Sequence, residues 1–306
     1  MKTDDQGNEV VLCISTRNHG QAFLEELSRL GCRVVLLTLE ELREADWPRE
    51  AIEEIQTMPG GMTQEQIQNT VCYLARTRNF ARIVALSASD VNIAAALREH
   101  MRISGMGQTT ARYFSDVLAM RTKAARFGAG VAAFAPILNY DDLRAFLENV
   151  PPPWILRPRD VVSAEGAQAI NDAEQVWHAL EKLRDRQSNF LLEQSIPGEI
   201  FTAYGICAEG KMQFNLVRAE NTDSRAEQVI RSAHAELIPS LGMLRGAVRS
   251  RFLRSAATGA LYFLETIPEP GDAWTVESIE QTNGINLWRE WARAEAAALR
   301  DEAYRR

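Results

Sequence analysis

Short apolar runs alternate with amphipathic segments along the first hundred residues. The runs at 10–15, 33–38 and 82–87 contain mainly Val, Ile, Leu and Ala, as in strands that are buried on both faces of a parallel sheet. Apolar positions spaced by three or four residues predict helices between and after these runs. The predicted helices span 21–30, 50–56, 64–78 and 90–101. Because strands alternate with helices, the pattern predicts an α/β fold with a Rossmann-like parallel sheet.

The pattern changes after a break at Gly105–Gly107. A long helix is expected over 109–127, and from there strands follow one another without regular alternation. The predicted strands are 154–157, 190–193, 200–208, 211–218, 246–253 and 260–264. The predicted helices are 172–183, 235–241, 273–282 and 287–300. Strands 200–208 and 211–218 are expected to form a hairpin across Glu209–Gly210, so this part of the chain is predicted to be α+β.

Composition narrows the class of protein. The chain has 306 residues, and 41 acidic side chains against 34 basic ones give a net charge of −7, which argues against nucleic acid as the main partner. No apolar run approaches the roughly 20 residues of a membrane span. The polar segment 1–6 lacks the apolar core of a signal peptide, so we expect a cytoplasmic protein. The four cysteines are scattered and indicate buried thiols rather than a disulfide or metal set.

Lysine is scarce. Of the 34 basic residues only four are lysines, which stand at positions 2, 123, 182 and 211. Genome base composition explains much of such a bias. The scarcity of lysine nevertheless has a chemical consequence, because any mechanism that needs a lysine at a defined place has only these four candidates.

The segment Thr16–Gly20 follows the first predicted strand, where a dinucleotide-binding fold has its glycine fingerprint. It contains one glycine and no G-x-G-x-x-G, so an NAD site is not expected. A plain turn and a site for some other ligand both remain open. No G-x-S-x-G occurs, and His178 and His234 have no carboxylate at catalytic spacing, so no nucleophilic triad is predicted.

Six segments between residues 105 and 294 stand in a distinctive order. They are S-D-V-L-A-M-R at 115–121 with G-A-G-V at 128–131, W-I-L-R-P-R at 154–159, S-A-E-G at 163–166, F-L-L-E-Q-S-I-P-G-E at 190–199, Y-F-L-E at 262–265 and G-I-N-L-W-R-E-W-A at 284–292. Their order and spacing resemble the ATP-grasp superfamily of carboxylate–amine and carboxylate–thiol ligases. The resemblance implies a Rossmann-like domain over 1–104, a small lid subdomain over 105–192 and a C-terminal subdomain over 193–306.

The resemblance also implies a nucleotide site between the two subdomains. The backbone carbonyl of Glu193 and the N–H of Ile196 are expected to face adenine, and the Glu199 carboxylate to take the ribose hydroxyls. Further nucleotide contacts are expected from Arg157 and, in the flexible loop, from Ser163 and Gly166. In such enzymes ATP phosphorylates a carboxylate and a nucleophile attacks the acyl phosphate, which requires cations on the phosphates.

The positions expected to face the phosphates depart from the family pattern. The family's first lysine follows an aspartate, but Asp116 is followed by Val117, and the second lysine is Arg157. Arginine at this position keeps the positive charge of the lysine, but its side chain differs in length and geometry. The loop Asp160–Gly166 has one glycine and two acidic residues, which disfavours backbone cradling of phosphate.

The positions expected to bind metal also depart from it. The first carboxylate is replaced by Arg251, the second is Glu265, the asparagine is replaced by Ile267 and a later arginine by Glu269. This set makes Mg²⁺ doubtful, with Glu265 as the remaining candidate ligand. The reciprocal change of sign predicts that Arg251 pairs with Glu269 or Glu265 and fills the metal position. Unrelated surface charges are the alternative.

Two functions from different classes therefore stand. One is an ATP-dependent carboxylate ligase that binds nucleotide and a small-molecule carboxylate. The other is a catalytically inactive relative that acts as a binding or partner protein. Both functions are compatible with a homo-oligomer.

Overall fold

The first four strands form a parallel sheet. The computed structural model describes residues 9–163, 166–218 and 224–304, and within them no helix is both long and apolar enough to cross a membrane. The elements of this part are β1 (Val10–Ser15), α1 (Gln21–Arg29), β2 (Arg33–Leu39), β3 (Glu54–Met58), α2 (Gln64–Leu74), β4 (Phe80–Ala85) and α3 (Val91–Met101). The strands lie in the order β3-β2-β1-β4, all parallel. The predicted Rossmann-like sheet is therefore confirmed.

The helix expected over 50–56 is wrong. Ile52, Ile55 and Met58 have helical spacing, but the chain passes through a short 3₁₀ turn at Arg49–Ala51 and then pairs as β3 with β2. The pairing joins Leu36 to Ile55 at the edge of the sheet. Backbone hydrogen bonds to an existing strand outweigh the local preference, which is a weak one in so short a segment.

A second sheet follows, and it is antiparallel. Its elements and their neighbours are α4 (Gln108–Ser115), α5 (Val117–Arg126), β5 (Phe134–Pro136), α6 (Tyr140–Asn149), β6 (Trp154–Pro158), β7 (Gln168–Ile170), α7 (Ala173–Leu183) and β8 (Phe190–Gln194). The strand order is β5-β8-β6-β7. Trp154 and Leu156 of β6 pack with Leu143 of α6 and Val176 of α7, so both helices bury their apolar faces on this sheet.

The single helix expected over 109–127 is also wrong, because the chain forms two helices with Asp116 between them. Asp116 has an extended backbone (φ −117°, ψ 109°), and its carboxylate accepts hydrogen bonds from the N–H groups of Leu118 and Ala119. It thus caps α5, as short acidic side chains commonly do at helix N-termini. An isolated bridge to Asp160 holds the break in place.

A third sheet, also antiparallel, completes the fold. Its elements are β9 (Gly198–Ala208), β10 (Lys211–Arg218), α8 (Ser224–Ser240), β11 (Gly246–Ser255), β12 (Leu261–Ile267), α9 (Ala273–Asn283) and α10 (Leu287–Leu299). The strand order is β10-β9-β11-β12. The predicted β9–β10 hairpin is present, with Lys211 opposite Ala208, whereas α8 begins earlier than the helix expected over 235–241.

The last helix returns to the parallel sheet. Trp288 and Trp291 of α10 are buried in one apolar cluster with Phe23 and Leu24 of α1, and the ring centroids of Phe23 and Trp291 lie 5.0 Å apart. The parallel sheet and the third sheet therefore share a continuous core along α10.

Candidate functional site

A cleft of about 1340 Å³, measured with its open mouth, lies between the second and third sheets. Arg157 of β6 and Glu193 of β8 line one side. Arg251 of β11 and Glu265 of β12 line the other. Side chains far apart in the chain thus meet in one place.

These side chains form a continuous row of ion pairs. Arg121 of α5 pairs with Glu193, and Arg157 Nη1 lies 3.8 Å from the other oxygen of Glu193. Arg157 Nη2 donates to Glu265 Oε2 at 2.7 Å, and Arg251 Nη1 donates to Glu265 Oε1 at 3.2 Å. Three guanidinium groups alternate with two carboxylates, which leaves the row with one excess positive charge.

The predicted pairing at the expected metal position is confirmed for Arg251 and Glu265. They are directly opposite each other in the antiparallel register of β11 and β12. Glu269 pairs instead with Arg249, whose Nη2 lies 3.6 Å from Glu269 Oε1. Of the two pairings predicted for Arg251, the structure therefore shows the one with Glu265, whereas the two positions of the reciprocal sign change, Arg251 and Glu269, each pair with a different residue.

Burial sets the electrostatics of this row. The side chain of Arg121 is 0% exposed and that of Glu265 is 7% exposed. Burial by itself raises the pKa of Glu265, but Arg157 and Arg251 outweigh it and hold that pKa below its ordinary value. Burial is also the main reason why the pKa of Arg121 is lowered, an effect that Glu193 opposes.

Sequence reasoning missed Arg121 and the role of the Glu193 side chain. A signal was present, because Arg121 falls among the buried positions Val117, Met120 and Ala124 of its helix. An arginine on the buried face of a helix needs a carboxylate partner. The sequence alone does not identify that carboxylate. Glu193 is 72 residues from Arg121 in the chain, and the second sheet brings the two side chains together.

The segment expected to face adenine lines the cleft. Residues 194–198, including Ile196, run from the end of β8 to the start of β9 and are among the residues that line the cleft. Glu199 is the second residue of β9, where its Oε2 accepts a hydrogen bond from Arg254 at 2.8 Å. Its Oε1 is buried and has no hydrogen-bond partner in the described part of the chain, and the described residues that line the cleft include its neighbours Gly198 and Ile200 but not Glu199 itself.

The loop expected to close over phosphate folds onto its own aspartate. The Asp160 carboxylate accepts hydrogen bonds from the backbone N–H of Val162 (3.0 Å) and from the hydroxyl of Ser163 (3.1 Å). Ser163 lines the cleft, whereas Gly166 lies beside Pro158 and Phe190. Residues 164 and 165 of this loop lie outside the described residues. Asp160 thus engages donors that a phosphate cradle requires.

The position of the family's first lysine lies in the core. The Val117 side chain is 0% exposed and belongs to the apolar cluster beneath the third sheet. The nearest lysine in the chain, Lys123, lies over the rings of Tyr113 and Phe127 at 5.3 and 4.8 Å from their centroids. Positive charge in the cleft therefore comes from arginines.

The residues at the expected metal position do not fit Mg²⁺, which takes oxygen ligands in octahedral geometry. Both oxygens of Glu265 face guanidinium groups, and Arg251 and Ile267 present no oxygen from their side chains. Within residues 9–163, 166–218 and 224–304, no group of three or more His, Cys, Asp or Glu side chains is placed to hold a metal ion.

Comparison with known proteins gives one curated relative and several similar structures. No protein-family model matches the chain. An L-arginine-specific L-amino acid ligase from Bacillus subtilis is 28% identical over 146 residues, which are 44% of this chain and 34% of that protein. The matched segment thus spans about a third of the relative's length.

The structural likeness extends over nearly the whole chain. An L-amino acid ligase from Bacillus licheniformis superposes with a TM-score of 0.78 at 17% identity, covering 96% of this chain and 75% of that one. The biotin carboxylase domain of a Hydrogenobacter thermophilus 2-oxoglutarate carboxylase, a dimer in complex with MgADP, ADP and bicarbonate, gives 0.74 at 15% identity, covering 96% and 70%. An N5-carboxyaminoimidazole ribonucleotide synthetase from Thermotoga maritima gives 0.73 at 12% identity, covering 97% and 77%. Together with the order of its sequence motifs, this likeness establishes that the chain has the ATP-grasp fold.

Proposed function

We propose that this protein is an ATP-dependent carboxylate–amine ligase of the ATP-grasp type, with an adenine nucleotide bound in the cleft between the subdomains 105–192 and 193–306. The observation that carries the proposal is the cleft itself. It joins the segment 194–198, which is expected to face adenine, to the guanidinium groups of Arg157 and Arg251, whose charge suits a polyphosphate. The similarity to L-amino acid ligases supports a small carboxylate and an amine as the other substrates.

The reaction proposed is group transfer in two steps. A carboxylate oxygen attacks the terminal phosphorus of ATP, forming an acyl phosphate and releasing ADP. The amine then attacks the acyl carbon, an amide bond forms, and inorganic phosphate leaves with the bonding electron pair while the amine loses a proton. Arg157 and Arg251 supply positive charge beside the phosphates.

A second candidate is nucleotide binding without turnover. The observation favouring it is that Glu265 is paired with both Arg157 and Arg251, so the charges that would act on a phosphate already neutralise each other in part. The relatives named above are enzymes or enzyme domains, and they support the first candidate rather than this one.

Calorimetric titration tests nucleotide binding under either candidate. ATP and ADP are each titrated in the presence of EDTA and in the presence of Mg²⁺. Because the residues present do not fit a metal, both nucleotides are expected to bind in EDTA with an affinity within a few-fold of that in Mg²⁺. The absence of binding at millimolar nucleotide contradicts both candidates.

Turnover separates the two candidates. Phosphate release from ATP is measured with a panel of L-amino acids, singly and in pairs, and amide products are identified by mass spectrometry. Amino-acid-dependent ADP and amide formation supports the ligase. Binding of nucleotide with no release above that of an Arg157→Ala, Arg251→Ala variant supports the second candidate.

A further inference from the structure

A second charged cluster lies away from the cleft, where the parallel sheet meets α10. It contains three arginines, Arg82 of β4, Arg98 of α3 and Arg245 just before β11, around the single carboxylate of Glu295 of α10. Arg82 is 6% exposed, and both Arg98 and Glu295 are 8% exposed. Buried cations in excess over buried anions are costly unless something compensates them.

Glu295 does not neutralise the cluster by itself. Its Oε2 lies 3.7 Å from Arg82 Nε and 3.4 Å from Arg245 Nε, distances beyond an ordinary hydrogen bond. Both Nε atoms are buried and have no hydrogen-bond partner within the described residues. The other oxygen of Glu295, Oε1, accepts a hydrogen bond from Trp291 Nε1 at 3.3 Å. One carboxylate is thus shared loosely among several donors.

Arg98 has hydrogen-bond partners but little counter-charge. Its Nε donates to the carbonyl of Met106 at 2.9 Å, and its Nη1 donates to the carbonyl of Ile83 at 2.7 Å. Burial lowers the pKa of Arg98 to about 10, while Glu295 raises it and the cations Arg245 and Arg82 lower it further. The side chain therefore remains charged at neutral pH. Carbonyls satisfy its N–H groups, but they supply no negative charge.

Acidic groups outside the cluster act electrostatically on Arg82 but not on Arg98. Glu9 and Asp301 raise the pKa of Arg82, so they add negative charge on that side. Glu295 is the acidic side chain that acts on Arg98. The excess positive charge is therefore concentrated around Arg98 and Arg245.

A small cavity lies at this point. It offers about 60 Å³ to the centres of water-sized molecules, and its lining includes Arg98, Ser104, Arg245 and Glu295. A few waters or one small polyatomic anion fit into that space. The wall is close-packed at Gly105 (φ +146°), where a Cβ would lie 2.7 Å from Cδ of Arg98. A glycine is therefore required for the loop to approach the guanidinium so closely.

We propose that this cavity binds a small inorganic anion, chloride or a tetrahedral oxyanion, between Arg98 and Arg245. The anion supplies the negative charge that Glu295 alone does not, and it joins the parallel-sheet part of the chain to α10 and β11. The site is separate from the proposed nucleotide cleft and is too small for a nucleotide. Its occupancy does not depend on whether the cleft binds ATP.

Thermal unfolding at constant ionic strength tests the site. Sodium gluconate, whose anion is too large to enter, is replaced stepwise by sodium chloride or sodium phosphate. Once the anion is well above its dissociation constant, the wild-type midpoint is expected to rise by about 3 °C. Arg245→Met removes one of the two binding cations and is expected to lose this rise. Arg289→Met, at an exposed pair with Glu280, is the matched control and keeps it.

Two results overturn the proposal. One is an equal midpoint in gluconate, chloride and phosphate. The other is a rise that Arg245→Met retains in full, since that result indicates ions bound elsewhere. A second measurement on the wild type guards against a variant that fails to fold, namely anomalous diffraction from crystals grown in bromide. A bromide peak within contact of Arg98 and Arg245 is expected, and density for water alone in the cavity contradicts the proposal.

Discussion

Arg251 and Glu265 face each other across β11 and β12, with 3.2 Å between Arg251 Nη1 and Glu265 Oε1. Glu265 is the one carboxylate left at the expected metal position, and Arg157 holds its other oxygen. At the positions where the family resemblance implies metal-binding carboxylates, the chain thus has a carboxylate held between two arginines.

Replacement of Arg157 by methionine is expected to destabilise the protein by about 2 kcal/mol, because the buried carboxylates Glu193 and Glu265 each lose a partner and keep one. The free energy of unfolding from urea titration measures the effect. Arg144→Met, at the exposed pair with Asp141, is the control and is expected to change it by less than about 0.5 kcal/mol. Similar values for the two variants contradict the prediction.

The Arg121–Glu193 pair is expected to show strong non-additivity. Arg121→Met leaves Glu193 buried with the more distant Arg157 and should cost about 3 kcal/mol in unfolding free energy. The double variant Arg121→Met, Glu193→Leu should come within about 1 kcal/mol of the wild type, since a matched apolar pair needs no counter-charge. A double-mutant cycle with urea unfolding measures the coupling, and additive effects contradict it.

His234 makes stability depend on pH in the acidic range. Burial lowers its pKa from 6.5 to about 3, and its two ring nitrogens lie 2.9 Å from Asn215 Oδ1 and Ser250 Oγ. Between pH 3 and 6.5 the unfolded chain binds a proton that the folded chain does not, so stability falls as the pH is lowered through this window. This group contributes up to about 1.4 kcal/mol per pH unit.

The measurement is the unfolding free energy at several pH values between 4 and 7. His234→Gln is expected to have a shallower dependence than the wild type, whatever its stability at pH 7. His178→Gln, at an exposed position on α7, is the control and should keep the wild-type slope. Identical slopes for all three proteins contradict the assignment.

Asp116 is expected to contribute through its cap and through its ion pair with Arg159, and two substitutions separate these effects. Asp116→Asn keeps an N-cap acceptor for Leu118 and Ala119 but removes the charge that faces Arg159. Asp116→Ala removes both and should cost about 1 kcal/mol more than the asparagine variant. Thermal unfolding followed by circular dichroism measures the difference. Equal losses indicate that the cap contributes nothing.

Much of the architecture was predictable because it depends on local periodicity. Continuous apolar runs predicted β1, β2 and β4, and the apolar spacing of the helix predicted over 21–30 matched the face that α1 buries. The order of the motifs predicted the ATP-grasp fold. This was possible because a fold is defined by the order of its strands and helices rather than by any single contact. Of the two contacts predicted for Arg251, the one with Glu265 of the adjoining strand is confirmed, whereas Glu269 pairs with Arg249.

Tertiary structure decided the remaining features. It made 54–58 an edge strand, divided the helix at Asp116, and brought Arg121, Arg157 and Glu193 to one cleft from three separate elements. The cluster around Glu295 likewise joins residues more than two hundred positions apart. Sequence determines which positions are apolar and which are charged, since that is a property of each residue in turn. Which charges neutralise one another depends on distances of a few ångströms and on burial, and only the folded chain sets these.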